Sequence, residues 1–132
     1  MPDRAARTIL AFDFGLKRIG VAVGESELRT AHPLPGIAAP GFEAIDRLVK
    51  QWRPQMLVVG LPVAENREHP MAKRVQRFAR QLEGRFRLPV ARVDERYTSV
   101  EAESLLRGLK SKAVDSVAAQ LILEQYFHGQ PA

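Results

Sequence analysis

The sequence predicts a mixed α/β fold in which a β-hairpin is followed by alternating helices and strands, so that helices flank one sheet. Two short apolar runs near the start of the chain flank a glycine-containing turn, two later apolar runs have the length of strands, and segments with helical spacing separate and follow them. The 132 residues contain no internal repeat, low-complexity tract or linker. We therefore expect one domain over residues 1–132.

The hairpin lies in the stretch "ILAFDFGLKRIGVAVGE", where Gly15 separates the two apolar runs. Asp13 interrupts the first run, and an ionised carboxylate between large apolar residues is costly unless something pairs with it. Two interpretations follow from this stretch alone. Either Asp13 lies at a strand end and caps the turn, or it is a ligand or catalytic carboxylate held by a rigid strand.

The next three segments predict a loop, a helix and a strand. The proline- and glycine-rich "LRTAHPLPGIAAPG" indicates a loop with a short edge strand near residues 29–32. The apolar spacing of "FEAIDRLVKQW" is typical of a helix that Pro54 ends. The continuous apolar run "MLVVGL" predicts a strand that is buried on both faces, as in a sheet covered by helices.

The second half of the chain continues the alternation. After the polar "VAENREHP", a helix is expected to begin near Pro70, and "RLPVARVD" predicts a short strand. Thr98 and Glu101 have the spacing of a capping box, which predicts a helix that ends near Gly108. A last helix is expected over about residues 112–127.

Composition and charge exclude several classes of protein. The chain has no cysteine, which excludes a disulfide framework and a thiolate metal site. It has neither a secretory leader pattern nor an apolar run long enough to cross a membrane, so we expect a cytoplasmic protein without a membrane partner. The net charge of +5 is compatible with a phosphate-rich partner such as nucleic acid.

Three acidic positions stand out. Asp13 interrupts a strand, Asp94 and Glu95 follow the last strand, and Asp115 heads the apolar stripe of the last helix. Each has a structural explanation, since a loop after a strand and the first turn of a helix both favour acidic residues. Together they predict a carboxylate cluster that needs a cation, and oxygen ligands favour Mg²⁺ or Mn²⁺. Two such ions bound close together can activate a water and stabilise the leaving oxygen of a phosphodiester.

Four motifs in this order resemble the YqgF (RuvX-like) family of the RNase H-like superfamily, which also contains Holliday-junction resolvases. They are "FDFGLKRIGVAVGE", "VVGLP", "VDERYTSVEAESLL" and "KAVDSVAAQLILEQYF". The resemblance extends from about residue 9 to residue 127. It implies an RNase H-like fold, a divalent-metal nuclease, and cleavage of pre-16S rRNA at its 5′ end during ribosome biogenesis. The loop after "GLP" departs from the family, because the family usually has a glycine there.

The resemblance also assigns residues. It implies that Asp13, Glu95 and Asp115 bind Mg²⁺ or Mn²⁺ and are catalytic. A second group of residues is predicted to contact nucleic acid, with a solvated turn as the alternative for the first two: Lys17, Arg18, Arg96, Lys110 and Lys112. For the basic residues of the second helix, a solvated face is favoured over a nucleic-acid track: Lys73, Arg74, Arg77 and Arg80.

Two other functions stay open at this point. A junction-resolving DNase would act on branched DNA and would need two sites facing one junction, hence a homodimer. A non-catalytic nucleic-acid-binding factor could have kept the same fold. The sequence is compatible with a monomer as well as with a homodimer, and with structured RNA as well as with branched DNA.

Overall fold

A computed structural model describes residues 7–62, 70–95 and 114–129, with the side chains of residues 114 and 115 excepted. The strands are β1 (Thr8–Asp13), β2 (Arg18–Glu25), β3 (Thr30–Ala38), β4 (Met56–Leu61) and β5 (Val90–Asp94). The helices are α1 (Phe42–Trp52), α2 (Ala72–Phe86) and α3 (Val114–His128). The helix predicted between Thr98 and Gly108 lies outside the described residues.

The strands form one five-stranded sheet in the order β3-β2-β1-β4-β5. The β1–β2 and β2–β3 pairs are antiparallel, whereas β4 runs parallel to both β1 and β5. The predicted mixed sheet, with an N-terminal hairpin and parallel strands, is confirmed. β1 is the middle strand, and β1, β4 and β5 end at the same edge of the sheet.

The strand predicted after the hairpin was too short. Instead of a loop with a brief strand near residues 29–32, the chain forms the nine-residue strand β3. Pro33 and Pro35 lie within it, which an edge strand tolerates because proline can be placed where no ladder hydrogen bond is needed. Composition favoured a loop, but pairing along β2 outweighed it.

The two faces of the sheet carry separate apolar cores. Alternation along β1 directs Leu10 and Phe12 to the face covered by α1 and α2, where Phe78 of α2 is also buried. Ile9 and Ala11 point to the opposite face, which α3 covers. The side of the sheet on which a residue lies therefore follows from its position in its strand.

Helix α3 packs on its face through a stripe of buried residues: Ala119, Ile122, Leu123 and Phe127. Tyr126 packs against this core, so the apolar stripe predicted for the last helix lies on its buried side. None of the helices in the described part of the chain is long and apolar enough to cross a membrane.

Candidate functional site

Asp13 is the last residue of the central strand β1 and pairs with Gly20 of β2. It is half-buried, and alternation along β1 directs its side chain to the face covered by α3. The next residue, Phe14, packs against Phe78 of α2 with a ring-centroid separation of 4.8 Å. The backbone around Asp13 is therefore held on both sides, by the hairpin and by the aromatic contact.

Glu95 follows β5 directly, and its N–H donates to the carbonyl of Leu61 at 3.0 Å. This hydrogen bond extends the β4–β5 ladder by one residue beyond the Leu61–Asp94 pair. Ala91 and Val93 lie on the α3 face, so alternation directs Glu95 to the same face as Asp13. Asp94, which the sequence offered beside Glu95, is exposed and points to the other face.

Gly60 of β4 lies between these two carboxylates. The last β1–β4 register pair is Phe12–Val59, so Asp13 lies beside Gly60 one step further on. A Cβ atom added to Gly60 would be 2.7 Å from Oε1 of Glu95 and 2.3 Å from Cδ1 of Ile122. The Glu95 carboxylate thus lies over β4, on the side toward Asp13, in space that only glycine leaves open.

Sequence analysis placed Gly60 within the apolar run that predicts β4 and gave it no role of its own. A signal was available, since a glycine inside a strand often marks close approach of another group. What the sequence could not give was the identity of that group. The pairing that brings Glu95 over Gly60 joins residues 35 positions apart in the chain.

Helix α3 begins at the same end of the sheet. Its residue Ser116 contacts β2 at Val21, which pairs with Phe12, the neighbour of Asp13. Asp115 is the second residue of this helix, whereas the prediction began the helix at about residue 112, and its side chain lies outside the described residues. The structure therefore places Asp13 and Glu95 on one face, with the start of α3 near Asp13.

The predicted nucleic-acid contacts are only partly described. Lys17 lies in the hairpin turn that follows Asp13, Arg18 opens β2, and both are exposed. Arg96, Lys110 and Lys112 lie outside the described residues. The four basic residues of α2 are also exposed: Lys73, Arg74, Arg77 and Arg80. Lys17 and Arg18 are therefore the described cations adjacent in sequence to the acidic site.

An ion pair holds the edge strand that leads to Glu95. Arg92 of β5 donates to both carboxylate oxygens of Glu83 on α2, at 2.9 and 3.2 Å, and to the side-chain carbonyl of Gln76 at 3.2 Å. The hydrogen bond from Arg92 lowers the pKa of Glu83 below its ordinary value of 4.5. This pair ties β5 to α2 on the face opposite the carboxylates.

The described residues supply only some of the ligands that a metal ion would need. Asp13 and Glu95 offer hard oxygen donors, which suit Mg²⁺ or Mn²⁺. Among the side chains that the structure describes, no three His, Asp or Glu residues lie close enough together to hold a metal ion. A third carboxylate would have to come from outside this set, and Asp115 is the predicted one.

Comparison with known proteins gives consistent results at the level of sequence. The sequence profile of the RuvX family, described as Holliday junction resolvase, matches residues 7–129. A protein of Nitrosomonas europaea, named as a candidate pre-16S rRNA nuclease, is 52% identical over 96% of this chain and 95% of its own length. A protein of Methylobacillus flagellatus with the same name is 51% identical, and the match covers 98% of this chain and 98% of that protein.

Solved structures support the fold. RuvC of Thermus thermophilus has a TM-score of 0.54 at 16% identity and covers 92% of this chain and 94% of its own. The fowlpox virus resolvase, solved with Holliday junction DNA, has a TM-score of 0.58 at 9% identity over 92% of this chain and 97% of its own. At such low identity the likeness concerns architecture alone, and it confirms the predicted RNase H-like fold.

Proposed function

Because the chain belongs to the RuvX family, we propose that it is a divalent-metal-dependent endonuclease that processes the 5′ end of pre-16S rRNA in the cytoplasm. The observation that carries the proposal is the placement of Asp13 and Glu95 on one face, on either side of Gly60, with an oxygen of Glu95 lying over that glycine. The names of relatives at about half identity supply the rRNA substrate.

The roles of the residues follow from their chemistry. Asp13, Glu95 and Asp115 would hold Mg²⁺ or Mn²⁺, which when bound supplies an activated water and stabilises the leaving oxygen. The rigid strands β1 and β5 keep Asp13 and Glu95 in place, so that the two carboxylates do not have to reorganise when the substrate binds. Lys17 and Arg18 would pair with phosphates beside the cut.

Three further cations are proposed to contact the substrate on the strength of the family motifs and their positions in the sequence. Arg96 follows Glu95 directly, and Lys110 and Lys112 precede Asp115 by five and three residues. Cations at these places would neutralise substrate phosphates close to the acidic residues. Binding should then weaken with salt, because counterions released from the nucleic acid drive such contacts.

The test is a cleavage assay with the purified protein and either Mg²⁺ or Mn²⁺, on a pre-16S rRNA 5′ leader and on a four-way DNA junction. We expect cleavage of the RNA, no cleavage in excess EDTA, and no cleavage by Asp13→Asn. RNA cleavage that persists in EDTA would contradict the metal mechanism. Failure to cleave either substrate would favour the non-catalytic nucleic-acid-binding alternative.

A junction resolvase is the second candidate. The description of the family profile and the architecture shared with two junction resolvases favour it. It requires a homodimer, because two sites must act on one junction. Cleavage of the four-way junction by a protein that sediments as a dimer, without cleavage of the RNA leader, would establish it in place of rRNA processing.

A further inference from the structure

Ser116 is a fully buried polar residue in the core beneath α3. It follows Asp115 directly and lies in the first turn of α3. Its hydroxyl oxygen accepts a hydrogen bond from the N–H of Val21 at 3.2 Å, and the hydroxyl donates to the carbonyl of Leu34. The proposed chemistry makes no use of this side chain, so its burial and its two partners need another explanation.

The two backbone groups belong to a register pair of neighbouring strands. Val21 of β2 pairs with Leu34 of β3, and the register shifts between Ile19 and Val21. Over this interval the two residues Pro35 and Gly36 oppose Gly20 alone, which makes a β-bulge on the edge strand. The Ser116 hydroxyl connects an N–H and a carbonyl at this irregularity, so both backbone groups have a partner.

The bulge lies beside the acidic site. Gly20, the single residue opposite the bulge, is also the register partner of Asp13. Ser116 therefore ties the start of α3 to the part of β2 that pairs with the end of β1. Along α3, Ile122 contacts Gly60 and Phe127 packs near Gly24, so the rest of the helix is held by apolar contacts. Apolar contacts tolerate small slides, whereas a hydrogen-bonded hydroxyl between two backbone groups fixes position and direction.

We propose that Ser116 is a positioning residue, whose hydroxyl fixes the first turn of α3 on the β2–β3 bulge and so sets the distance between Asp115 and Asp13. This inference rests on the proposed function, since it concerns the same metal site. It predicts that loss of the hydroxyl loosens metal binding and slows the chemical step, while RNA binding by the basic residues stays as it was.

The experiment compares Ser116→Ala with Phe127→Leu in the full chain. Phe127 is buried at the other end of α3, about 16 Å along the helix, so its substitution destabilises the same helix without touching the bulge. For both variants we would measure the melting temperature, Mn²⁺ affinity by electron paramagnetic resonance, and kcat and KM on the RNA leader. Ser116→Thr, which keeps a hydroxyl, is the rescue variant, and Ser116→Cys, with a weaker hydrogen-bonding group, is measured beside it.

For Ser116→Ala we expect about tenfold weaker Mn²⁺ binding and about a tenfold lower kcat, with KM for RNA within about twofold, as is usual when a residue that orients a metal ligand is lost. Phe127→Leu should keep its Mn²⁺ affinity despite a lower melting temperature. The threonine variant should recover most of both losses, and cysteine, a weak hydrogen-bonding group, should recover less.

Two results would overturn the inference alone: wild-type Mn²⁺ affinity and kcat in Ser116→Ala, or equal losses in Ser116→Ala and Phe127→Leu. A wild-type protein that binds no Mn²⁺ and cleaves no RNA would instead overturn the proposed function and this inference with it. If Ser116→Ala does not fold, the Mn²⁺ affinities of the wild type, Ser116→Thr and Ser116→Cys are compared instead. We expect the affinity to fall in that order, and equal affinities in all three proteins would contradict the inference.

Discussion

Substituting Gly60 by alanine tests the arrangement of the two carboxylates most sharply. The new Cβ would be 2.7 Å from Oε1 of Glu95 and 2.3 and 2.8 Å from Cδ1 and Cγ1 of Ile122. Ordinary contact for a Cβ begins near 3.4 Å, so the Glu95 oxygen has to move by about 0.7 Å. Ile122 is fully buried in the core beneath α3, so it cannot move away freely.

Gly60→Ala should lower the stability of the protein moderately and its cleavage activity more strongly. Overpacking of a filled core costs about 1–3 kcal/mol, and alanine recovers about 0.5–1 kcal/mol of the conformational entropy that glycine loses in a strand. We therefore expect a net loss between about 0 and 2.5 kcal/mol in the free energy of unfolding. The displaced carboxylate should cost more in function, because a misplacement of about 1 Å at a reacting centre can lower the rate by about 100-fold.

The assay is a double-mutant cycle with Ile122→Val, which removes the Cδ1 atom that the new Cβ meets at 2.3 Å. Urea unfolding should give a double-mutant loss smaller than the sum of the single losses, since the conflict with Cδ1 of Ile122 is relieved while the one with its γ carbon remains. Cleavage should not recover, because the contact with Glu95 remains. Full activity in Gly60→Ala, or recovery of activity in the double mutant, would show that contact of the new Cβ with Glu95 does not disturb the site.

The remaining predictions concern charge. Glu83→Gln should lower the free energy of unfolding at pH 7 by about 0.5 kcal/mol, a small value because this pair is largely solvated. The pKa of Glu83 is lowered in the folded state, so its contribution is complete above 4.5 and is lost as the pH falls through the folded value. Urea unfolding of both proteins at several pH values should therefore show the difference vanish well below pH 4.5. Asp13→Asn should abolish cleavage yet leave the metal-free protein equally or more stable by thermal melting, because one charge leaves a repelling cluster. A double variant with Lys17→Gln and Arg18→Gln should bind RNA more weakly, with a smaller salt dependence of affinity in fluorescence anisotropy.

A matched control separates local contacts from net charge in the last experiment. Arg53 and Arg87 are exposed at the C-termini of α1 and α2. Each precedes the first residue of a strand that runs parallel to β1, so both lie at the end of the sheet opposite Asp13. Their double substitution by glutamine also removes two positive charges. Equal losses of RNA affinity in the two double variants would indicate non-specific attraction. The expectation for Glu83 would be contradicted if the stability of Glu83→Gln fell on acidification as much as that of the wild type. The expectation for Asp13 would be contradicted if metal-free Asp13→Asn were less stable than the wild type.

Strands and helices with a strong apolar pattern were predictable from the sequence. The hairpin around Gly15, the apolar run of β4 and the spacing of α1 each carry a local signal that burial reinforces. β3 was underestimated because its prolines favour a loop, and only pairing with β2 makes it a strand.

The acidic members of the proposed site were indicated by the sequence, whereas the supporting residues were not. Asp13 stands out because a carboxylate in an apolar run is costly, and Glu95 because it follows a strand. A glycine inside a strand hinted at close approach to Gly60, but neither its partner Glu95 nor the partners of Ser116 at the β2–β3 bulge could be identified, because they lie far away in the sequence. Tertiary contacts of this kind cannot be read from spacing or composition.

Mn²⁺ titration of the metal-free protein measures whether Asp13 and Glu95 bind the same metal ion. Electron paramagnetic resonance would give the affinity of the wild type, of Asp13→Asn and of Glu95→Gln, with Asp94→Asn as the matched control because Asp94 points to the other face of the sheet. We predict that each of the first two variants binds Mn²⁺ at least about tenfold more weakly and that Asp94→Asn binds like the wild type. Equal affinities in all four proteins would contradict the account.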